Sequence, residues 1–279
     1  MLKKILYISR PYLWIYSWGP FLFGVQGAVL LGYPLELGLI FIYLLMLTIP
    51  VNLFVFALND YFDTDTDAHN PKKDILEHRA GHNDRSLVWY TLVSLGAILG
   101  FALLQEQLVQ ALILLWVLLV VTYNVPPLTL KARPILDMLF AFNFPLWAVI
   151  GYALVAGAVP PLMVILPMIP LACMFHLYSA VNDMPHDKKA GVTTTAVWIG
   201  SVAQNLYISL ILTLFSMALL LWLDWYMLAA VVSLYVVFLA SHWFEVVRAD
   251  LLQMYRYFIV LQYIAGISAT SVQAIMLLS

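Results

Sequence analysis

Nine apolar stretches, each long enough to cross a hydrocarbon core of about 30 Å, dominate this chain of 279 residues. They fall near 12–33, 37–59, 87–104, 108–124, 136–157, 160–182, 201–222, 226–247 and 257–278. Hydrophobic residues make up 64% of the chain and its mean hydropathy is +0.93, against about 45–50% apolar residues in a water-soluble domain. The chain therefore reads as one integral membrane domain over 1–279. Nine membrane-spanning helices are expected, the third and fourth forming an antiparallel pair about the short turn at Gln105, Glu106 and Gln107.

The placement of basic residues supports that count. If the amino terminus is cytoplasmic and the spans alternate, all 13 Lys and Arg, from Lys3, Lys4 and Arg10 to Arg248 and Arg256, fall on the cytoplasmic side. The outer turns then carry only Glu36, Glu106 and Asp224. Short-loop Lys and Arg set topology, and one helix more or fewer would throw some of them outside. The carboxyl terminus should face outward across a cell inner membrane, surrounded by lipid, and the first span shows no cleavable signal. The basic residues are scattered over five segments and form no stripe, so no nucleic-acid partner is expected. Cys173 stands alone inside a span, which excludes an intrachain disulfide or a thiolate metal site.

In a chain with only 10% charged residues, two acidic clusters stand out, NDYFDTDTDAHNPKKD at 59–74 and SAVNDMPHDKKAG at 179–191. Gathering Asp60, Asp63, Asp65, Asp67, Asp183 and Asp187 on one membrane face is repulsive unless cations neutralise them. Each cluster ends an apolar span, the second and the sixth, and each is followed by a Lys-containing loop. The chain thus reads as two parallel four-helix copies plus a ninth helix around a central cavity, where the clusters can meet.

Continuing the second span as a helix puts Asn59, Asp63 and Asp67 at i, i+4 and i+8, within roughly 80° of one another. Asp60 sits about 100° from Asn59 on the same geometry, and Asp65 points elsewhere. Asp183 and Asp187 form the same i, i+4 pair, with Pro185 between them bending or ending the helix. Mg²⁺ usually takes one or two carboxylates plus waters and phosphate oxygens, so two facing Asp stripes suit ions that bridge a diphosphate. Asn59, Asp60, Asp63, Asp67, Asp183 and Asp187 are the candidate metal residues, and the Asp63, Asp67, Asp183 and Asp187 carboxylates the candidate catalytic ones.

NDYFDTDTD matches the NDxxDxxxD signature of the UbiA superfamily of intramembrane prenyltransferases, and DMPHD at 183–187 matches its second DxxxD motif. SRPYLWIYSWGPFLFG at 9–24 resembles the family's first helix, and YNVPPLTLKARPILD at 123–137 resembles its Y-x-x-P-P-L-x-L-K loop. The resemblance implies an all-α fold of nine transmembrane helices. In it, Mg²⁺ on both Asp motifs binds the diphosphate of a prenyl donor, and the prenyl group moves as an allylic cation. DAHNPKKD and HLYSAVNDMPHDKKAGVTTTA look most like the carotenoid branch, the lycopene elongases, which implies transfer of dimethylallyl to the end of a C40 carotene. An aromatic quinone precursor such as 4-hydroxybenzoate is the alternative acceptor. From a different class, a cation-coupled membrane transporter stays open.

Ionising an allylic diphosphate requires charge stabilisation at the leaving group. Lys131, Arg79 and Lys188 or Lys72 are candidate diphosphate contacts, Lys131 foremost because the resembling loop has a Lys there. Tyr123 and Arg10 are further candidates, and Tyr178 lies at the level of Tyr123. A carbocation also needs aromatic faces, which the chain has in excess, so the functional ones are not separable by sequence. His176 and Asn143 lie inside spans, where polar groups serve either function or helix-to-helix bonding. His69 and His186 read as loop residues. No Lys or Arg lies within a span, with Arg10 at the edge of the first, which favours an uncharged acceptor.

Overall fold

The computed structural model describes residues 2–64, 81, 84–245 and 250–278. Among them every regular element is helical. A short amino-terminal helix α1 (Leu2–Ile8) precedes α2 (Ile15–Leu30), the broken pair α3 (Leu37–Met46) and α4 (Ile49–Phe62), then α5 (Arg85–Ala102) and α6 (Gln107–Asn124). A 3-10 turn at Leu136–Phe142 leads into α7 (Asn143–Ala156), followed by a second broken pair, α8 (Leu162–Ile165) and α9 (Met168–Val181). Two short helices, α10 (Met184–Ala190) and α11 (Thr195–Ile199), precede α12 (Val202–Trp222), α13 (Tyr226–Glu245) and α14 (Leu251–Leu278).

Seven segments among the described residues are long and apolar enough to cross a bilayer: Leu37–Phe62, Arg85–Ala102, Gln107–Asn124, Leu136–Ala156, Leu162–Val181, Val202–Trp222 and Leu251–Met276. They coincide with seven of the nine expected spans. The expected first span is a helix of 16 residues, and the expected eighth contains a shorter apolar stretch at Tyr226–His242, both near the lower limit of about 17 residues for a straight crossing. Phe41, Leu118, Phe215 and Val237 face outward, which lipid tolerates and water would not.

The helices close a ring. α2 packs on α7 and α14, α4 on α5, α6 on α7, α9 on α12, and α13 on both α12 and α14. At the α2–α7 crossing a Cβ on Gly24 would sit 1.9 Å from the Ala148 carbonyl oxygen, and one on Gly151 would sit 2.2 Å from that of Phe21. Only glycine permits this backbone approach, the small-residue packing that membrane helices use where burial from water is no longer the driving force.

The two broken pairs repeat one design. Pro50 opens α4 and Pro167 precedes α9, and proline interrupts a helix by removing a donor and crowding the preceding turn. Carbonyls freed in a bilayer need new donors. Asn52 Nδ2 donates to the Leu47 and Thr48 carbonyls at 2.5 and 3.0 Å, and Ser17 Oγ donates to Leu47 at 3.2 Å. At the second break Ser216 Oγ donates to the Pro167 carbonyl at 2.7 Å. Both 14-residue halves, α4 and α9, then run to the Asp motifs.

Candidate active site

Both Asp motifs open onto one cavity of about 370 Å³, lined by Asn59, Asp63, Lys131, Asp183 and Asp187 among others. The regular helix of the first motif ends at Phe62, with Asp63 as its carboxyl cap. Carboxylates beside a helix carboxyl end oppose the dipole, and Asp is a poor helix former. The i, i+4 relation survives for one pair, because the Asp63 N–H still donates to the Asn59 carbonyl at 3.0 Å. Asp67 and Arg79 lie outside the described residues, as do Asp65, His69 and Lys72.

Asn59 donates its amide hydrogens to Asp63 at 2.7 Å and to Asn124 at 3.1 Å. Lys131 reaches Asp63 at 2.5 Å and the Asn124 side-chain oxygen at 3.3 Å. Asn124 is buried at the end of α6 and links the two. Sequence reasoning passed over it, although it sits inside the YNVPPL motif. With its N–H groups spent, the Asn59 amide has only its oxygen left to offer a cation.

Asp60 departs from the expected metal set. It is 1% exposed and accepts a hydrogen bond from Arg10 Nη2 at 2.6 Å. The Arg10 guanidinium, itself 5% exposed, lies 4.3 Å from the Phe56 ring centroid, and the residue adopts a left-handed backbone, φ 49°. Arg10 lines the cavity as expected but is committed to Asp60, a partner that makes burying its charge tolerable.

In the second motif Pro185 acts as foreseen. α9 ends at Val181, and α10 begins behind Asp183 with Pro185 in its first turn, where a missing N–H costs nothing. The Asp187 N–H donates to the Asp183 carbonyl at 2.9 Å, so the pair keeps its i, i+4 spacing and both side chains line the cavity. Lys188 is exposed and is not part of the lining, because the next position on α10 turns away. His186 is likewise off the lining.

The donor set is hard oxygen from Asn59, Asp63, Asp183 and Asp187, which suits Mg²⁺. Among the described residues no three His, Cys, Asp or Glu side chains converge into a complete cage.

Deeper in, the cavity is aromatic: Trp116, Tyr123, Phe140, Phe144, Trp147 and Phe175 line it. Tyr123 stacks on Phe140 with ring centroids 4.2 Å apart. Tyr178 instead belongs to the packed interior, 4.2 Å from Phe258, with its hydroxyl donating to the Met254 carbonyl. Asn143 accepts a bond from Trp116 Nε1 at 2.5 Å, the helix-to-helix role. Asp137 was not foreseen. It accepts hydrogen bonds from the Thr195 N–H, at 2.8 Å, and hydroxyl. Thr195 Oγ1 in turn accepts from the Ile135 N–H at 2.6 Å, holding a left-handed turn, φ 70°. The signals were Asp137, which closes the 123–137 motif, and Thr195 within VTTTA; this contact ties the two segments together.

A second chamber of about 170 Å³ adjoins the first, sharing Tyr16, Phe144 and Phe175. It lies between α2, α9, α12, α13 and α14, and among the described residues no Asp, Glu, Lys, Arg or His lines it.

The model of the UbiA prenyltransferase family matches residues 12–263. A lycopene elongase/hydratase of Haloarcula japonica is 37% identical over 204 residues, covering 72% of this chain and 68% of that protein. The protein of the same description from Halobacterium salinarum is 34% identical over 206 residues, 72% of this chain and 73% of its own length. Among solved structures, a UbiA homologue from Archaeoglobus fulgidus bound to GPP and Mg²⁺ superposes with a TM-score of 0.69 at 20% identity, over 97% of this chain and 99% of the other. The chain belongs to the UbiA prenyltransferase family and is an integral membrane enzyme that transfers prenyl groups.

Proposed function

We propose that this enzyme transfers the dimethylallyl group of dimethylallyl diphosphate, in a Mg²⁺-dependent reaction, to the terminal double bond of a C40 carotene such as lycopene. The observation that carries the acceptor is the pairing of chambers: an acid-and-lysine mouth opens into an aromatic cavity that adjoins a chamber with no charged lining. The names of the haloarchaeal relatives point the same way, and the GPP and Mg²⁺ bound by the Archaeoglobus homologue support the donor class and the metal. The membrane assigned is the cell inner membrane, with the amino terminus and the active-site mouth cytoplasmic and the carboxyl terminus outside.

Asn59, Asp63, Asp183 and Asp187, with Asp67, would hold the metal. When bound, it neutralises the diphosphate and makes it a better leaving group. Lys131 is held at the mouth by Asp63 and Asn124, placed to meet diphosphate oxygens as a point charge. Arg79 is assigned a lesser contact there. The Tyr123 and Phe140 faces stabilise the allylic cation, and the narrow aromatic interior keeps water from capturing it.

A benzoate acceptor would need a free cation in the cavity. Of the two Lys and Arg side chains among the described residues that line it, Lys131 is assigned to the diphosphate and Arg10 is paired with Asp60, which disfavours that reading. The test is product mass. Purified protein in lipid nanodiscs with dimethylallyl diphosphate and Mg²⁺ should extend lycopene by a C5 unit and leave 4-hydroxybenzoate untouched. Saturable prenylation of the benzoate without carotenoid product would overturn the acceptor assignment.

A further inference from the structure

His176 lines the aromatic part of the cavity. Its ring lies edge-on to Tyr123, with centroids 6.1 Å apart, and 6.2 Å from Phe140. Its Nε2 is buried and has no hydrogen-bond partner among the described residues. A buried polar nitrogen without a partner is costly, and polar groups inside spans are rare unless used. Three other polar side chains of this region are engaged: Asp137 with Thr195, Asn143 with Trp116, and Asn124 with Asn59 and Lys131.

Resting on the alkene-acceptor reading above, we propose that His176 is a catalytic base that ends the reaction by taking the proton released after carbon–carbon bond formation. The donor C–O bond breaks with its electron pair leaving on the diphosphate. The π pair of the acceptor double bond then forms the new C–C bond and leaves a tertiary cation on the neighbouring acceptor carbon. A C–H bond next to that cation gives its pair to a new double bond, and its proton goes to the lone pair of the neutral imidazole. The sum is one diphosphate and one proton released, with no oxidant or reductant. At the diphosphate mouth Asp63 is already paired with Lys131, and the carboxylates there are assigned to the metal and the leaving group. Tyr123 and Phe140 hold the cation against the imidazole, so the base stands where the charge is.

The role predicts uncoupling. In His176→Ala and in the similarly sized His176→Gln, donor ionisation precedes the lost step, so diphosphate release from dimethylallyl diphosphate should continue. Alkene-terminated product per diphosphate should fall by about 10²-fold, with the remainder appearing as prenyl alcohol or as acceptor carrying a hydroxyl from water. An unchanged product-to-diphosphate ratio in both variants would overturn the proposal. So would an equal fall of diphosphate release and product in both, because that is the behaviour of a packing residue. A wild-type enzyme that ignores lycopene but prenylates 4-hydroxybenzoate would overturn the acceptor reading alone. The arenium formed there also sheds a proton, so the same ratio then decides the role of His176.

Discussion

The two halves of the molecule build the same object by different means. In each, a proline-broken span ends in a 14-residue helix that delivers an Asp motif to the shared cavity. The first half fixes its motif with side chains: Arg10 holds Asp60, while Asn59 and Lys131 hold Asp63. In the second half a short helix behind Pro185 sets the spacing of Asp183 and Asp187, with the Asp187 N–H donating to the Asp183 carbonyl. Within the second half, Asp137 on the 3-10 turn that opens it is bound by Thr195 of the segment after the second motif. The difference separates two jobs that one motif carries at once, keeping charge at the membrane edge and offering it to a ligand.

Removing Arg10 tests the first job and should have the largest effect. Arg10→Met leaves Asp60 as a buried carboxylate without this partner, and breaking such a pair typically costs about 3–5 kcal/mol. The expected outcome is a large drop in the thermal midpoint and yield of detergent-solubilised protein. The double variant Arg10→Met with Asp60→Leu should recover most of it, because apolar replacement of both partners is often neutral. A single variant as stable as wild type would show that the ion pair does not anchor the first half.

The ligand-offering job is tested by Asp63→Ala, Asp183→Ala and Asp187→Ala, each expected to lose about 10² or more in kcat/KM, roughly 2.7 kcal/mol of transition-state stabilisation. Thermal midpoints should move far less than with Arg10→Met. The halves should differ in coupling. Asp63→Ala also releases Lys131, so Asp63→Ala and Lys131→Ala should combine to less than the sum of their separate losses, whereas Asp187→Ala and Lys131→Ala should be closer to additive. Additivity in both cycles would mean that the 2.5 Å contact of Lys131 with Asp63 plays no part in the reaction.

Much of this was legible in the residues. Apolar length gave the helices, and the ordered motifs around Asn59, Asp63, Asp183, Asp187 and Lys131 gave the cavity mouth, because acid clusters at span ends have few other reasons to exist. Pro185 announced the break between α9 and α10. Three things were hidden. Helical spacing alone could not foresee that Asp60 turns to Arg10, since a pairing across 50 positions leaves no local periodicity. Asn124, Asp137 and Thr195 act through one another, so none looks exceptional alone. The aromatic lining was illegible because lipid-facing and cavity-facing rings have the same composition, and only packing distinguishes Tyr123 on the cavity from Tyr178 in the interior.

A smaller contrast marks the outer edge of the first half. Asp84 caps α5, accepting from the Ser86 N–H at 3.1 Å and hydroxyl at 2.6 Å. Lys4 of α1 donates to it at 2.7 Å and to Ser86 at 2.8 Å. Burial pushes the Asp84 carboxyl up, but the hydrogen bonds from Lys4 and Ser86 and the Lys4 charge outweigh it, leaving the group below its ordinary value of 3.8. A carboxyl whose folded value is depressed adds stability that is fully present above its unfolded value and disappears as pH falls through the folded one. With side chains 37% and 19% exposed, solvent screening limits the ion pair to about 0.5 kcal/mol. Asp84→Asn keeps a good cap and removes only the charge. Its thermal midpoint should lie slightly below wild type at pH 7, and the gap should close as pH drops from about 4 through the lower folded value. A gap of constant size down to pH 3 would assign the difference to capping geometry, and no gap at pH 7 would show that Lys4 leaves α1 untethered to the first half.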